Sequence, residues 1–236
     1  NVTSLGNPAA ISARGTCWGT TPNPTTNCTA AGGTTTGVFT QARTGFSAGT
    51  LYYYRGYATN TAGTGYSPDG TFTTLPNAPA IPAGLTATPN TTCGTGIINV
   101  SWSVSPGATT YTLRDSAAVI YAGATTSYSH TLLTAGSSHS YTVLATNTGG
   151  SSAYSTAVVA TAPPICLPPT VTTTTPVTSI TTTTATGGGN VTSNGGTTVT
   201  VSGLVWSTAL NPTTADSNTT DGWAIGGPWI SSMTGL

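Results

Sequence analysis

The stretch LTAGSSHSYTVLATN, residues 133–147, sets Tyr141, Val143 and Ala145 at alternate positions, behind a turn that holds Gly136 and ahead of Asn147. A repeat of two is the side-chain period of a strand with one buried face. No window of the chain shows the competing pattern, apolar residues at i, i+3, i+4 and i+7 over three turns. The reading that follows is of an all-β protein with almost no helix.

Composition agrees. The 236 residues hold four Arg, four Asp and two His, with no Lys and no Glu, so the charged fraction is 3% and the net charge is zero. A globular domain normally spends about a quarter of its residues on charge. Solubility must therefore come from hydroxyls and amides, and the dominant polar residue, Thr, is β-branched and suited to a pleated surface. Pro and Gly punctuate the chain every ten residues or so, the rhythm of short strands joined by turns in a sandwich or barrel. Regular apolar alternation and five Trp argue against disorder. Neutrality removes the attraction on which binding to nucleic acid and to anionic membranes depends. No stretch approaches the roughly 20 apolar residues that span a bilayer, so membrane insertion is not expected. A secretory signal is also missing, as expected if residue 1 is not the true start.

The chain repeats itself. It begins NVTSLG, continues RGTCWGTTPNPTTNCT at 14–29 and reaches FTQARTGF at 39–46; near the end it reads NVTSNG at 190–195, SGLVWSTALNPTTADSNT at 202–219 and WISSMTGL at 229–236. Asn1 thus corresponds to Asn190 and Trp18 to Trp206. The shared WxTxxNPTT core reads as a hairpin: a Trp on one strand, a Pro-containing turn, a Thr-rich return strand. The two copies lack opposite ends. The first has no counterpart of PTVTTTTPVTSITTTTATGGG (169–189), and the last stops where the first continues with SAGTLYYYRGYATNTAGTGYSPDGTFTT (47–74). Missing strands leave unpaired edges. They are to be supplied either by continuing sequence, the chain being a window on a longer tandem array, or by a neighbouring subunit through donor-strand complementation.

Between these copies, residues 79–162 resemble a fibronectin type III domain. PAIPAGLTATP resembles the family's Pro-rich entry and first strand, INVSWSV the second strand with its core Trp102, and GATTYTLRDS the third. AVIYAG and TSYSHTLL fit the next two, and residues 133–162 the closing pair. Where the family usually has a Tyr that ties the turn back to the strand, this unit has His139 and the first unit has Tyr52. The flanking units resemble more divergent fibronectin-type repeats of long secreted bacterial surface proteins. The resemblance implies tandem fibronectin type III-like (Ig-like) antiparallel β-sandwich modules: 1–76 lacking its first strand, 77–163 complete, and 164–236 lacking its last strands. Such a fold implies adhesion, spacing or assembly and no particular chemistry.

Four cysteines in a chain of this character point to an oxidising compartment and two disulfides, with three pairings formally open. Cys17 and Cys28 flank the WGTTPNPTTN hairpin and can face one another across it. Cys93, in the turn between the middle unit's first two strands, and Cys166, in the PPICLPP linker, can meet at one end of that sandwich. A zinc site of four cysteines needs pairs two to four residues apart, which are absent. Asp69, Asp115, Asp216 and Asp221 are scattered and read as turn residues. His130 and His139 lie in neighbouring strands without an accompanying Cys or carboxylate, and read as ordinary strand positions. GxSxG is absent, and no His–Asp pair stands ready to activate a Ser. No catalytic, cofactor or metal residue is therefore expected.

In LYYYRGYATN, Tyr52 and Tyr54 share one face while Tyr53, Arg55 and Tyr57 share the other, so one set is core and the other displayed. A displayed Tyr53–Arg55–Tyr57 ladder could stack on sugars or on a neighbouring module, although cross-strand packing is commoner. Trp223 and Trp229 in DGWAIGGPW are the other candidate recognition residues. Among the Asn-x-Ser/Thr sequons, Asn27, Asn90 and Asn218 in turn regions are the best acceptors for glycosylation, and Asn99 is a poor one if buried. The function these features suggest is a non-catalytic, extracellular, secreted or cell-surface structural protein. Its partners would be identical or adjacent modules in a stalk or self-assembling filament. A glycan-binding adhesin, or an accessory region of a secreted hydrolase, is the alternative.

Overall fold

The computed structural model describes residues 1–7, 9–222 and 228–236. Among them are eighteen β-strands and no helix. In the middle of the chain run β6 (Thr86–Pro89), β7 (Ile98–Ser101), β8 (Thr110–Asp115), β9 (Ala118–Gly123), β10 (Ser127–His130), β11 (Ser138–Asn147), β12 (Gly150–Ser151) and β13 (Val158–Thr161). They make two antiparallel sheets. One has three strands in the order β10-β7-β6; the other has five in the order β12-β11-β8-β9, with β13 also on β11.

The inner faces of these sheets supply the core. Ile98, Val100 and Trp102 come from β7 and its extension, Tyr111 and Leu113 from β8, and Tyr141, Val143 and Ala145 from β11, all buried. The alternation read from residues 133–147 is thus the pleat of β11, whose burial pattern switches with every residue from Ser140 to Ala145. Trp102 meets Tyr111 and Tyr121 with ring centroids 5.8 and 6.1 Å apart. Such aromatic contacts add to the gain from burial. Gly136, at φ +74°, turns the chain into β11, a left-handed conformation that a residue without Cβ adopts at no steric cost.

Before this sandwich come β1 (Ala13–Gly19), β2 (Cys28–Ala30), β3 (Leu51–Asn60), β4 (Gly63–Tyr66) and β5 (Gly70–Thr73). They form one five-stranded sheet, ordered β2-β1-β3-β4 with β5 also on β3. Strand for strand this is the larger sheet of the middle sandwich: β1 stands for β8, β2 for β9, β3 for β11, and β4 with β5 for β12 with β13. The closing hairpins match in detail. Asn60 Oδ1 accepts from Ala62 N–H, and Asn147 Oδ1 from Gly149 N–H, both at 2.8 Å.

After the sandwich come β14 (Thr170–Thr178), β15 (Thr184–Ser193), β16 (Val205–Trp206), β17 (Ser217–Asn218) and β18 (Pro228–Thr234). Here the three-stranded sheet reappears, in the order β14-β15-β18, beside the small hairpin β16-β17. The WxTxxNPTT hairpin is present in both copies, as β1-β2 and as β16-β17. The segment after it differs. Residues 228–234 form a strand because β15 offers a ladder from Thr184 to Asn190. Their counterpart in the first copy follows a single bridge between Val2 and Gly37 and crosses the sheet without forming a strand, held by Arg43, which donates to Thr16 O and Oγ1, and by Phe46 against Trp18 at 4.8 Å.

Burial ranks the cost of substitutions. Leu113→Ala empties space at a position with no exposed surface and should lower the stability of the middle sandwich by about 3 kcal/mol. Leu132→Ala, at a side chain 97% exposed, should change it by less than about 0.5 kcal/mol. Guanidinium unfolding of the two variants under non-reducing conditions measures the difference.

Candidate functional site

The four cysteines form two disulfides, Cys17–Cys28 and Cys93–Cys166. The first joins directly opposed positions of β1 and β2. The second ties the turn after β6 to the linker beyond β13, alongside a hydrogen bond from Gly94 N–H to Pro164 O of 2.7 Å.

On β3 the two faces separate as the alternation requires. Tyr52 is buried among Trp18, Phe46 and Phe72, at centroid distances of 5.4, 4.9 and 5.6 Å. Its hydroxyl accepts from Ser47 N–H at 2.9 Å, tying the turn back to the strand. On the other face, Arg55 lies over the Tyr66 ring at 4.2 Å, and donates to Pro24 O and Asn23 O at 2.9 and 3.0 Å. Tyr57 meets the same Tyr66 at 6.4 Å. The Tyr53–Arg55–Tyr57 face is half-buried, and its arginine braces the 19–27 turn rather than projecting as a platform.

Trp229 lies on the inner face of β18, so close to Gly189 that a Cβ there would come within 2.5 Å of the indole. It packs against the sheet, and its indole N–H is buried without a partner among the described residues. Trp223 lies outside the described residues. Asn27 is exposed with φ +52°. Asn90 is half-buried and its Oδ1 accepts from Thr92 N–H at 2.9 Å. Asn218 is exposed, yet its amide donates to Asp216 O at 2.9 Å and Thr214 O at 3.3 Å. Asn99 is exposed too, and Ser129 Oγ donates to it at 2.8 Å.

The histidines depart from expectation. A carboxylate does accompany them: Asp115, at the end of β8, places Oδ2 2.6 Å from His139 Nδ1. His139 Nε2 stands 2.7 Å from Ser137 Oγ, and His130 Nδ1 stands 3.0 Å from Tyr141 Oη. Asp115 Oδ1 also accepts from Ser140 N–H at 3.0 Å. The strand spacing hides this grouping, because Asp115 is far from both histidines in sequence and reaches them only through the pairing of β8 with β11. His139 occupies the position that Tyr52 holds in the first unit. The Asp115–His139–Ser137 chain replaces the phenol tie, with Ser137 Oγ 2.6 Å from Thr134 O. Burial lowers the pKa of His130 from its ordinary value, Asp115 raises it, and His139 lowers it. The buried Tyr141 phenol is pushed well above the ordinary tyrosine range by burial first, then by Asp115 and Tyr128.

The chain matches no protein-family model, and no curated protein matches it. Solved structures do resemble it. FN3tt is 20% identical over 37% of this chain and 97% of its own, with a TM-score of 0.34. The fibronectin type-III domain of human fibronectin type III domain containing protein 3 is 23% identical over 37% and 89%, at 0.32. The FN1-FN3 domains of chicken CNTN1 are 15% identical over 80% and 67%, at 0.35. At such scores the fold assignment rests on the strand order described above.

The two disulfides differ in the loop they close, with sequence separations of 73 for Cys93–Cys166 and 11 for Cys17–Cys28. If constraint of the unfolded chain dominates, replacing the Cys93–Cys166 pair by Ser should cost about 4 kcal/mol and replacing the Cys17–Cys28 pair about 3 kcal/mol. Thermal unfolding of the two double variants tests that order.

Proposed function

From a chain built of fibronectin type III-like β-sandwich units, we propose a non-catalytic structural protein of an extracellular or cell-surface setting, whose copies join end to end into a filament. The larger sheet near the N-terminus is covered only in part, by an irregular segment that carries Phe46, and the smaller sheet near the C-terminus by a short hairpin. The occupant proposed for the first is the second, from another copy.

One comparison carries the reading. Tyr141 on β11 is fully buried between two sheets, whereas Tyr54, its counterpart on β3, is 45% exposed. The same strand in the same sheet is only partly covered. The open cleft beside Tyr54 has a volume of about 410 Å³ and is lined by Trp18, Phe46 and Phe72. At the other end a cleft of about 570 Å³ is lined by Val171, Val191, Val199, Leu204 and Trp229. Val171 is 62% exposed on the inner face of its sheet. Mating the sheets would take such side chains out of water, each worth about 1 kcal/mol at roughly 25 cal/mol per Å² of apolar area. Because such a contact is heterologous and does not close on itself, copies joined by it propagate into a filament.

Other features fit an assembling, secreted chain. The nine residues of β14 are all exposed on a sheet edge that carries no charge to repel a partner and is interrupted by Pro176 and two register shifts. No cysteine is free, as suits an oxidising compartment. Arg55 and Tyr57 are engaged with Tyr66 and with the 19–27 turn, which disfavours the sugar-binding alternative on that face.

Sedimentation velocity and negative-stain electron microscopy test the proposal. The chain should form end-to-end oligomers that lengthen with concentration and tolerate salt. Tyr54→Asp and Val171→Asp should each leave monomers in which the middle sandwich still unfolds cooperatively. A monodisperse monomer at all concentrations would overturn it.

A further inference from the structure

Both histidines of the chain and one of its four aspartates meet at one end of the middle sandwich. Asp115 closes β8, His130 closes β10 and His139 is the second residue of β11, so the three come from both sheets. One ligand atom from each lies within 4.8 Å of the others. In a chain so poor in ionisable groups, nothing in the fold obliges three of them to share a corner.

The hydrogen-bond pattern around His139 asks for a cation. Ser137 Oγ has a single proton, and its short contact with Thr134 O, at 2.6 Å, is the place for that proton. Ser137 Oγ then accepts from His139 Nε2–H across 2.7 Å. If the ring is neutral, Nδ1 is left with its lone pair facing the Asp115 carboxylate oxygen at 2.6 Å. Two acceptors cannot stand that close unless a positive charge lies between or beside them. A proton, making the ring an imidazolium, satisfies the geometry; so does a metal ion bound by both atoms. For a metal the separation must open by about half an ångström, since zinc sits about 2 Å from each ligand.

We propose that Asp115, His130 and His139 bind one divalent transition-metal ion of the zinc class, which clips the three-stranded sheet to the five-stranded one. Two imidazoles and a carboxylate suit zinc, copper or nickel and are poor ligands for calcium or magnesium, which prefer all-oxygen sites. A fourth position stays open to water. The brace that orients such ligands is in place: Ser140 N–H holds the second carboxylate oxygen at 3.0 Å, Ser137 holds the His139 ring, and Tyr141 Oη holds the His130 ring. The His139 and Asp115 side chains remain 15% and 18% exposed, within reach of an ion from solvent.

Zinc titration of the whole chain, followed by calorimetry and by the imidazole signals in NMR spectra, tests this. With only two histidines, both sets of ring resonances should shift together and saturate at one ion per chain. His130→Asn and Asp115→Asn should each weaken zinc binding by about tenfold or more. Imidazole signals of the unaltered chain that stay put under excess zinc would overturn the proposal, whatever the variants do. So would one-to-one binding that both variants retain.

Discussion

A sheet has two faces, and an apolar one must be covered. That constraint organises the chain. In the middle sandwich it is met within the unit, because β7 and β10 lie over β8 and β11 and leave Tyr141, Leu113, Ile98 and Val143 without exposed surface. At the ends it is met in part. Over β3 an irregular segment brings Phe39 beneath Arg14 at 5.1 Å and Phe46 onto Trp18 and Tyr52; over β15 the β16–β17 hairpin brings Leu204 onto Gly187. Each cover is thinner than a sheet, and the clefts beside Tyr54 and Val171 are what it leaves open.

The scarcity of charge places the remaining order on hydroxyls and amides. Turns are tied by Asn60, Asn147 and Asp216, whose side-chain oxygens accept backbone N–H groups two residues ahead for the asparagines and three behind for the aspartate. The phenol of Tyr111 does similar work, accepting from Ser105 N–H at 2.9 Å. Asn147 reaches further, donating to Asn77 O and Gly107 O and so fastening the entering chain to the sandwich. Hydrogen bonds of this kind, each worth about 1 kcal/mol, do not fade with salt as surface ion pairs do. A neutral surface also offers no long-range repulsion between copies, so the same economy that holds the turns favours lateral and end-to-end contact.

His139 shows how one substitution redirects a corner. Its counterpart Tyr52 spans the turn with one hydroxyl, a closed arrangement with nothing left to bind. An imidazole is shorter and has two polar atoms, so it recruits Ser137 on one side and Asp115 on the other. The tie becomes a chain of exchangeable protons, open to solvent at its edge. A residue that reads as a lapse from the family pattern turns out to be the centre of a polar cluster that joins the two sheets.

Alternation, turn residues and composition are local properties, and they determined from the sequence alone that the chain is all-β, where β11 turns its apolar face, and which cysteines flank a hairpin. Internal repetition similarly revealed the two unequal ends. Tertiary structure decided the rest, because long-range pairing brings together groups that local pattern cannot rank. Residues 228–234 become a strand while their counterparts near 39–45 do not, since a strand needs a partner with free hydrogen-bonding groups and β15 supplies one. Trp229 packs on Gly189 instead of facing outward, because a glycine on the neighbouring strand leaves room for an indole. Asp115 joins the histidines because the register of β8 on β11 sets it beside Tyr141, one step from His139 on the next strand.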